Sequence, residues 1–188
     1  MENLIKIMKT HFSIILLTAV GLIYLSAFTS GINNETTKVK KFADVGAEDW
    51  NNYKEWYNVT KKPNTGDPTG FLDGKHGGTD AFREIYINSL GESVNKGEED
   101  FPYPEGTIVV KEAFKNRKRY EQQKKPEITI MIKLAEGASP ETNDWEFVMG
   151  AKGKKRGSGT SKLGKFCGGC HVNAAATDYT FMTTENTE

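Results

Sequence analysis

The pentapeptide Cys167-Gly168-Gly169-Cys170-His171 uses both cysteines of this 188-residue chain and constrains it more than any other segment. Two thiols at this spacing reach the two vinyl groups of one haem, and the imidazole that follows reaches the iron. The motif therefore reads as covalent attachment of a single c-type haem, with Cys167 and Cys170 as thioether donors and His171 as axial iron ligand. Three other readings share these residues. A zinc site calls for a second ligand pair, which no further cysteine supplies. A thioredoxin-like redox pair calls for a βαβ setting that this C-terminal segment does not suggest. A disulfide across two glycines would staple almost nothing.

The other end of the chain agrees with the haem reading. Lys6 and Lys9 precede an uncharged run from Phe12 to Phe28 that is dominated by Ile, Leu, Val and Ala. Residues 1–30 are expected to be a signal peptide or an N-terminal membrane anchor. Small residues at Ser26, Ala27, Thr29 and Ser30 offer cleavage sites, and residues 12–28 are also enough for a span of roughly 17 residues. The expected location is periplasmic or otherwise exported, either released or anchored through that run. Without the leader, 24 acids stand against 23 bases. Such a balance argues against a nucleic-acid partner, which asks for a clustered basic surface.

Residues 31–45 read as a polar tether, lysine-containing and without apolar period from Gly31 to Lys41. Residues 46–188 are long enough for one domain with one core. Trp50, Tyr53, Trp56 and Tyr57 stand at helical spacings and predict a short amphipathic helix. Between Thr60 and Thr79, two prolines and five glycines predict irregular loop. Strands are expected at Glu84 to Asn88, Thr107 to Glu112, Glu127 to Leu134 and Trp145 to Met149, with a helix or turn over Val94 to Asp100. Tyr103-Pro104-Glu105-Gly106 suggests a type I turn feeding the second strand. The fold class is thus mainly β, an antiparallel sheet with a few short helices and one covalent haem.

This pattern excludes two common haem architectures. Small helical electron carriers put the attachment motif near the N-terminus and take a methionine from far downstream, whereas only 17 residues follow His171 here. Four-helix haem bundles place the motif late, but long amphipathic helices are missing from the centre of this chain.

Arg83 to Asn88, Tyr103 to Glu112, Asp144 to Phe147, the haem motif and Asp178 to Phe181 occur in an order and spacing that resembles the cytochrome P-460 family. The resemblance spans about residues 50 to 182 and extends to its gas-binding branch, cytochrome c'-beta. It implies a usually dimeric, mainly antiparallel β fold. It also implies oxidation of hydroxylamine to nitrous oxide or nitrite at a lysine-cross-linked haem, with electrons passing to an external redox protein.

Lys111 lies at the position of the cross-linking lysine in proteins that look like this one. Thr107, Val109 and Lys111 share one face of the expected strand and Ile108, Val110 and Glu112 the other, so Lys111 is expected to be half-buried. Burial favours the neutral amine, which is the nucleophilic form. On the residues alone, a strand-end lysine reaching solvent is the alternative. Arg83 matches a basic residue of the resembling proteins and suits a haem propionate or the pocket wall.

The chain departs from the family where a proton acceptor is expected. Active members carry a distal carboxylate, often just before the haem motif, yet no acid occurs between Phe147 and Cys167. Asp144, Glu146, Glu136 and His76 are substitutes that no pattern separates. His76 also suits a sixth ligand or an exposed loop position, and Met131, Met149 and Met182 raise the sixth-ligand role more weakly. Hydroxylamine oxidase, binder of nitric oxide or carbon monoxide, and six-coordinate electron carrier are the three functions in play.

Overall fold

The computed structural model describes residues 45–61, 63 and 81–182, all within one compact unit. The expected leader and anchor, the tether up to residue 44, most of the glycine-rich loop and His76 lie outside these residues.

Six strands form one antiparallel sheet in chain order: β1 (Tyr57–Asn58), β2 (Phe82–Ile87), β3 (Ile108–Phe114), β4 (Glu127–Lys133), β5 (Trp145–Met149) and β6 (Lys155–Gly157). The four expected strands are β2 to β5. Two-residue periodicity sorts their side chains onto opposite faces. Ile108, Val110, Ile128, Ile130, Ile132 and Val148 point to one face, where Val45 and Trp50 cover them. Ile87, Val109, Trp145 and Phe147 point to the other and pack with Val94, Tyr103 and Met182. Val110 and Ile132 are wholly buried in the middle of the sheet. A sheet covered on both sides in this way explains why β3 is apolar on alternate and intervening positions alike.

Among the described residues three α-helices punctuate the meander: α1 (Ser89–Asn95), α2 (Arg117–Glu121) and α3 (Lys162–His171). Asn116 Oδ1 caps α2 by accepting from Arg119 N at 3.0 Å, and Ser161 Oγ caps α3 by accepting from Gly164 N at 3.0 Å. In place of the helix or turn expected over Val94 to Asp100, a helix starts earlier, at Ser89, and ends before Gly97, whose φ of +73° is left-handed.

Two local expectations are corrected. Trp50 to Tyr57 is not one amphipathic helix but two 3-10 turns, Ala47–Trp50 and Tyr53–Glu55, followed directly by β1. Trp50 is tied down by its indole, which donates to Ala151 O at 2.8 Å, and Tyr53 by its hydroxyl, which donates to Glu112 at 2.5 Å. Packing against the sheet thus overrides the helical period. The turn before β3 is displaced by one residue. Thr107 N donates to Pro104 O at 3.1 Å and Gly106 sits at φ +86°, so Pro104 to Thr107 form a type II turn with glycine where φ must be positive. Gly106 N is thereby free to donate to Lys133 O on β4 at 2.9 Å.

Candidate haem site

Helix α3 carries the whole Cys167 to His171 motif and packs against β5, β6 and the Pro140–Thr142 turn. Glycine makes this possible. A Cβ at Gly164 would lie 2.5 Å from the backbone of Ser158 and Gly159, and one at Gly168 would lie 3.0 Å from Thr142 Cγ2. Cys167 and Cys170 are both free thiols, half-buried, one helical turn apart. Cys167 packs against the second apolar cluster, the one containing Val109 and Phe147. Burial pushes its thiol up to about 11, which keeps it protonated.

His171 is the last residue of α3, held on three sides. Its Nδ1 lies 2.7 Å from Tyr179 O, and its ring sits 5.2 Å from that of Phe147 and 5.5 Å from that of Phe181. A carbonyl only accepts, so Nδ1 carries the proton and donates, leaving the Nε2 lone pair bare. Burial lowers the imidazole pKa to about 4, so the ring is neutral at physiological pH. A neutral imidazole with an oriented Nδ1–H is the form that ligates a metal.

Strand register brings Lys111 to the same side. Val109, Met131 and Phe147 are directly opposed across β3, β4 and β5, and Phe147 lies against the His171 ring. The next row on that face is Ile85, Lys111, Thr129 and Met149, and the row after it is Arg83, Ala113 and Glu127. Lys111 is half-buried, as expected, and its ammonium is pushed down to about 8. Burial is the main cause and the Arg83 guanidinium adds to it, while Glu127 and the thiols of Cys167 and Cys170 act in the opposite direction. Arg83 is buried, with Nη1 donating to Ala81 O at 3.3 Å.

The arrangement fits a haem held by α3. Two reduced thiols stand at attachment spacing, an oriented imidazole follows them, and an easily deprotonated amine stands on the facing strand. Cys167, Cys170, His171, Lys111 and Arg83 all share this side of the sheet.

The carboxylates considered from the sequence are elsewhere. Glu146 points to the opposite face and pairs with Arg156 at 2.5 Å. Asp144 caps its own turn, accepting from Gly137 N at 2.9 Å and Ser139 N at 2.7 Å, and Glu136 is exposed in the same loop. Met131 and Met182 pack in the second cluster, and Met149 shares the row of Lys111. Two contributors escaped the sequence reading. Glu127 reaches the site only through its register against Ala113, and Tyr179 reaches it through a backbone carbonyl, which no side-chain motif marks.

A meandering sheet with a Cys-x-x-Cys-His helix laid across one face defines the class of β-rich c-type haem proteins. The pattern of the family described as Cytochrome P460 matches residues 50–182, and the chain belongs to that family. It is a haem c cytochrome of the P460 kind, with covalently bound haem c and its iron as cofactor. Curated proteins yield no match to the chain. Members of the family are typically exported, and among the described residues no helix is long and apolar enough to cross a membrane.

Proposed function

We propose that this cytochrome is an exported mono-haem enzyme that oxidises hydroxylamine to nitrous oxide or nitrite and passes the electrons to an external redox protein. In this reading Cys167 and Cys170 would hold the haem, His171 would supply the imidazole to its iron and Lys111 would offer its amine to the haem rim. Bound haem c would supply a redox-active iron able to take electrons from the substrate nitrogen. The chain's own part is to fix His171 through Tyr179, to present the Lys111 amine and to take up the protons released.

The single observation that carries the reading is Lys111. Among the described residues it is the one lysine whose ammonium is pushed down to about 8, and it stands on the sheet face that packs α3. A strand-end lysine in water would keep its usual value near 10.4. Glu127 is the carboxylate that acts on Lys111 across the register, and it takes the role of proton acceptor left vacant between Phe147 and Cys167. Arg83 neighbours Lys111 on the adjacent strand and suits a haem propionate.

A second reading draws on the apolar row of Val109, Met131 and Phe147 beside the motif. Such walls suit nitric oxide or carbon monoxide, as in a gas-binding cytochrome. The reduced optical spectrum separates the two. A strongly red-shifted Soret band is expected for the lysine-bonded haem, and an ordinary c-type spectrum would move the assignment to gas binding. Hydroxylamine oxidation by Glu127→Gln should fall about 100-fold or more if that carboxylate is the base. Unchanged turnover would remove Glu127 from the mechanism.

A further inference from the structure

The peptide unit that meets His171 is clamped from a distance. After α3 the chain makes a 3-10 segment, Val172–Thr177, and then reverses through Asp178 and Tyr179 at φ +50° and +62°. Left-handed backbone at two successive residues that are not glycine costs roughly 1–2 kcal/mol at each. A bulky tyrosine there is an outlier whose cause needs to be found in its surroundings.

The surroundings supply it at Asp178. Its carboxylate is buried and accepts from Lys133 Nζ at 2.7 Å, Asn143 Nδ2 at 2.5 Å and Tyr103 N at 2.8 Å. Its carbonyl accepts from Trp145 Nε1 at 2.8 Å. Lys133 is buried as well, donates a second bond to Asn143 O at 2.9 Å and lies 5.1 Å from the Trp145 ring centre. One aspartate thus ties the tail to β4, to β5 and to the segment before β3. Charge-assisted bonds of this kind are among the strongest in a protein interior and outweigh the backbone strain.

The neighbouring peptide is held on both sides. Tyr179 N donates to Ala174 O at 2.8 Å, and Thr180 N donates to Thr177 O at 3.1 Å. Tyr179 O belongs to the same planar unit as Thr180 N. With these atoms fixed, the carbonyl has one direction to point, and it meets His171 Nδ1 at 2.7 Å.

We infer that Asp178, braced by Lys133, is a positioning residue for His171: it holds the Tyr179 carbonyl that orients the imidazole and sets how strongly that ring donates to the iron. A firm Nδ1–H bond raises the basicity of the other ring nitrogen. Loss of the clamp lets the carbonyl drift, weakens donation and favours the reduced iron. The inference rests on the reading of His171 as axial ligand.

The test uses the haem-loaded protein in its ferrous form, with the iron–histidine stretching frequency and the reduction potential as readouts. Asp178→Asn keeps the shape and removes the charge. It leaves Lys133 buried without a counter-ion and can fail to fold for that reason alone. The pair Lys133→Met with Asp178→Asn removes both charges and keeps a foldable interior. The expected result in the paired variant is a lower iron–histidine frequency and a more positive potential, with the haem still attached. Tyr53→Phe, on the opposite sheet face, should lose stability and leave both readouts where they were. A folded paired variant with unmoved frequency and potential would overturn the inference. If His171→Ala leaves the spectrum and reduction potential of the haem-loaded protein unchanged, the axial assignment fails and the clamp falls with it.

Discussion

Lys111 shows how one side chain links strand register to chemistry. In the haem-free polypeptide its folded pKa is about 8, against about 10.4 in an unfolded chain. Between these values the unfolded chain binds the extra proton, so stability rises with pH across that window. The Lys111 contribution approaches about 1.4 kcal/mol for each pH unit, and above about pH 8.5 it is opposed by Cys167, whose thiol is held up to about 11 by burial while the unfolded thiol ionises. Above pH 10 it is opposed further, because burial holds the Tyr53 and Tyr86 hydroxyls well above the usual phenol range while unfolded tyrosines ionise. Denaturant titrations at pH 7.5 and pH 9.5 should show the Lys111 contribution in the native sequence and not in Lys111→Met. Equal changes in both would mean that Lys111 titrates normally. In the haem-loaded protein, Lys111→Ala should restore an ordinary c-type spectrum while both thioethers persist. The burial of Lys111 was legible in the sequence because β3 carries apolar residues at every other position on both faces. The company it keeps was not, since Arg83 and Glu127 join it only through pairing with β2 and β4.

At the scale of elements, the strands were readable and the haem-bearing helix was not. Ile128, Ile130 and Ile132 alternate with the more varied Thr129, Met131 and Lys133, and that period marks β4. β1 and β6, of two and three residues, are too short to show a period. α3 contains Gly164, Gly168 and Gly169, each costing about 1 kcal/mol relative to alanine in a helix. It exists because close packing against Ser158, Gly159 and Thr142 requires Gly164 and Gly168, which is a tertiary cause. Gly164→Ala should therefore displace the helix and lower the yield of haem-loaded protein, since backbone atoms 2.5 Å away have no room to move. Gly169→Ala, with nothing within 4 Å, should mature normally. Absorbance of attached haem per polypeptide measures both. On the opposite face Tyr53 donates to Glu112, whose side chain is 1% exposed and also pairs with Lys54 at 3.2 Å. Removing that hydroxyl in Tyr53→Phe leaves a buried acceptor short of a donor, at a cost of about 1–3 kcal/mol by denaturant unfolding. The haem spectrum should not change.

The whole molecule divides its labour between the two faces of one sheet. One face packs an apolar cluster under Trp50, flanked by the buried Glu112 and the Glu146–Arg156 pair. The other face accepts α3 and offers Lys111, Arg83 and Glu127 around it. The mainly β class was legible from periodicity, and the haem from five residues, because each rests on local spacing. The clamp from Asp178 to Tyr179 was not, because it joins residues 103, 133, 143, 145 and 178 through contacts that only the folded chain makes. The homodimer implied by the family resemblance should appear as twice the haem-loaded monomer mass in native mass spectrometry. The most direct measurement on the molecule is a proteolytic digest of protein matured in a host able to attach c-type haem, read by mass spectrometry. One haem joining the Cys167–His171 peptide to the peptide that contains Lys111 is the expected species. Haem found only on the Cys167–His171 peptide, with an unmodified Lys111 peptide beside it, would contradict the lysine-bonded site.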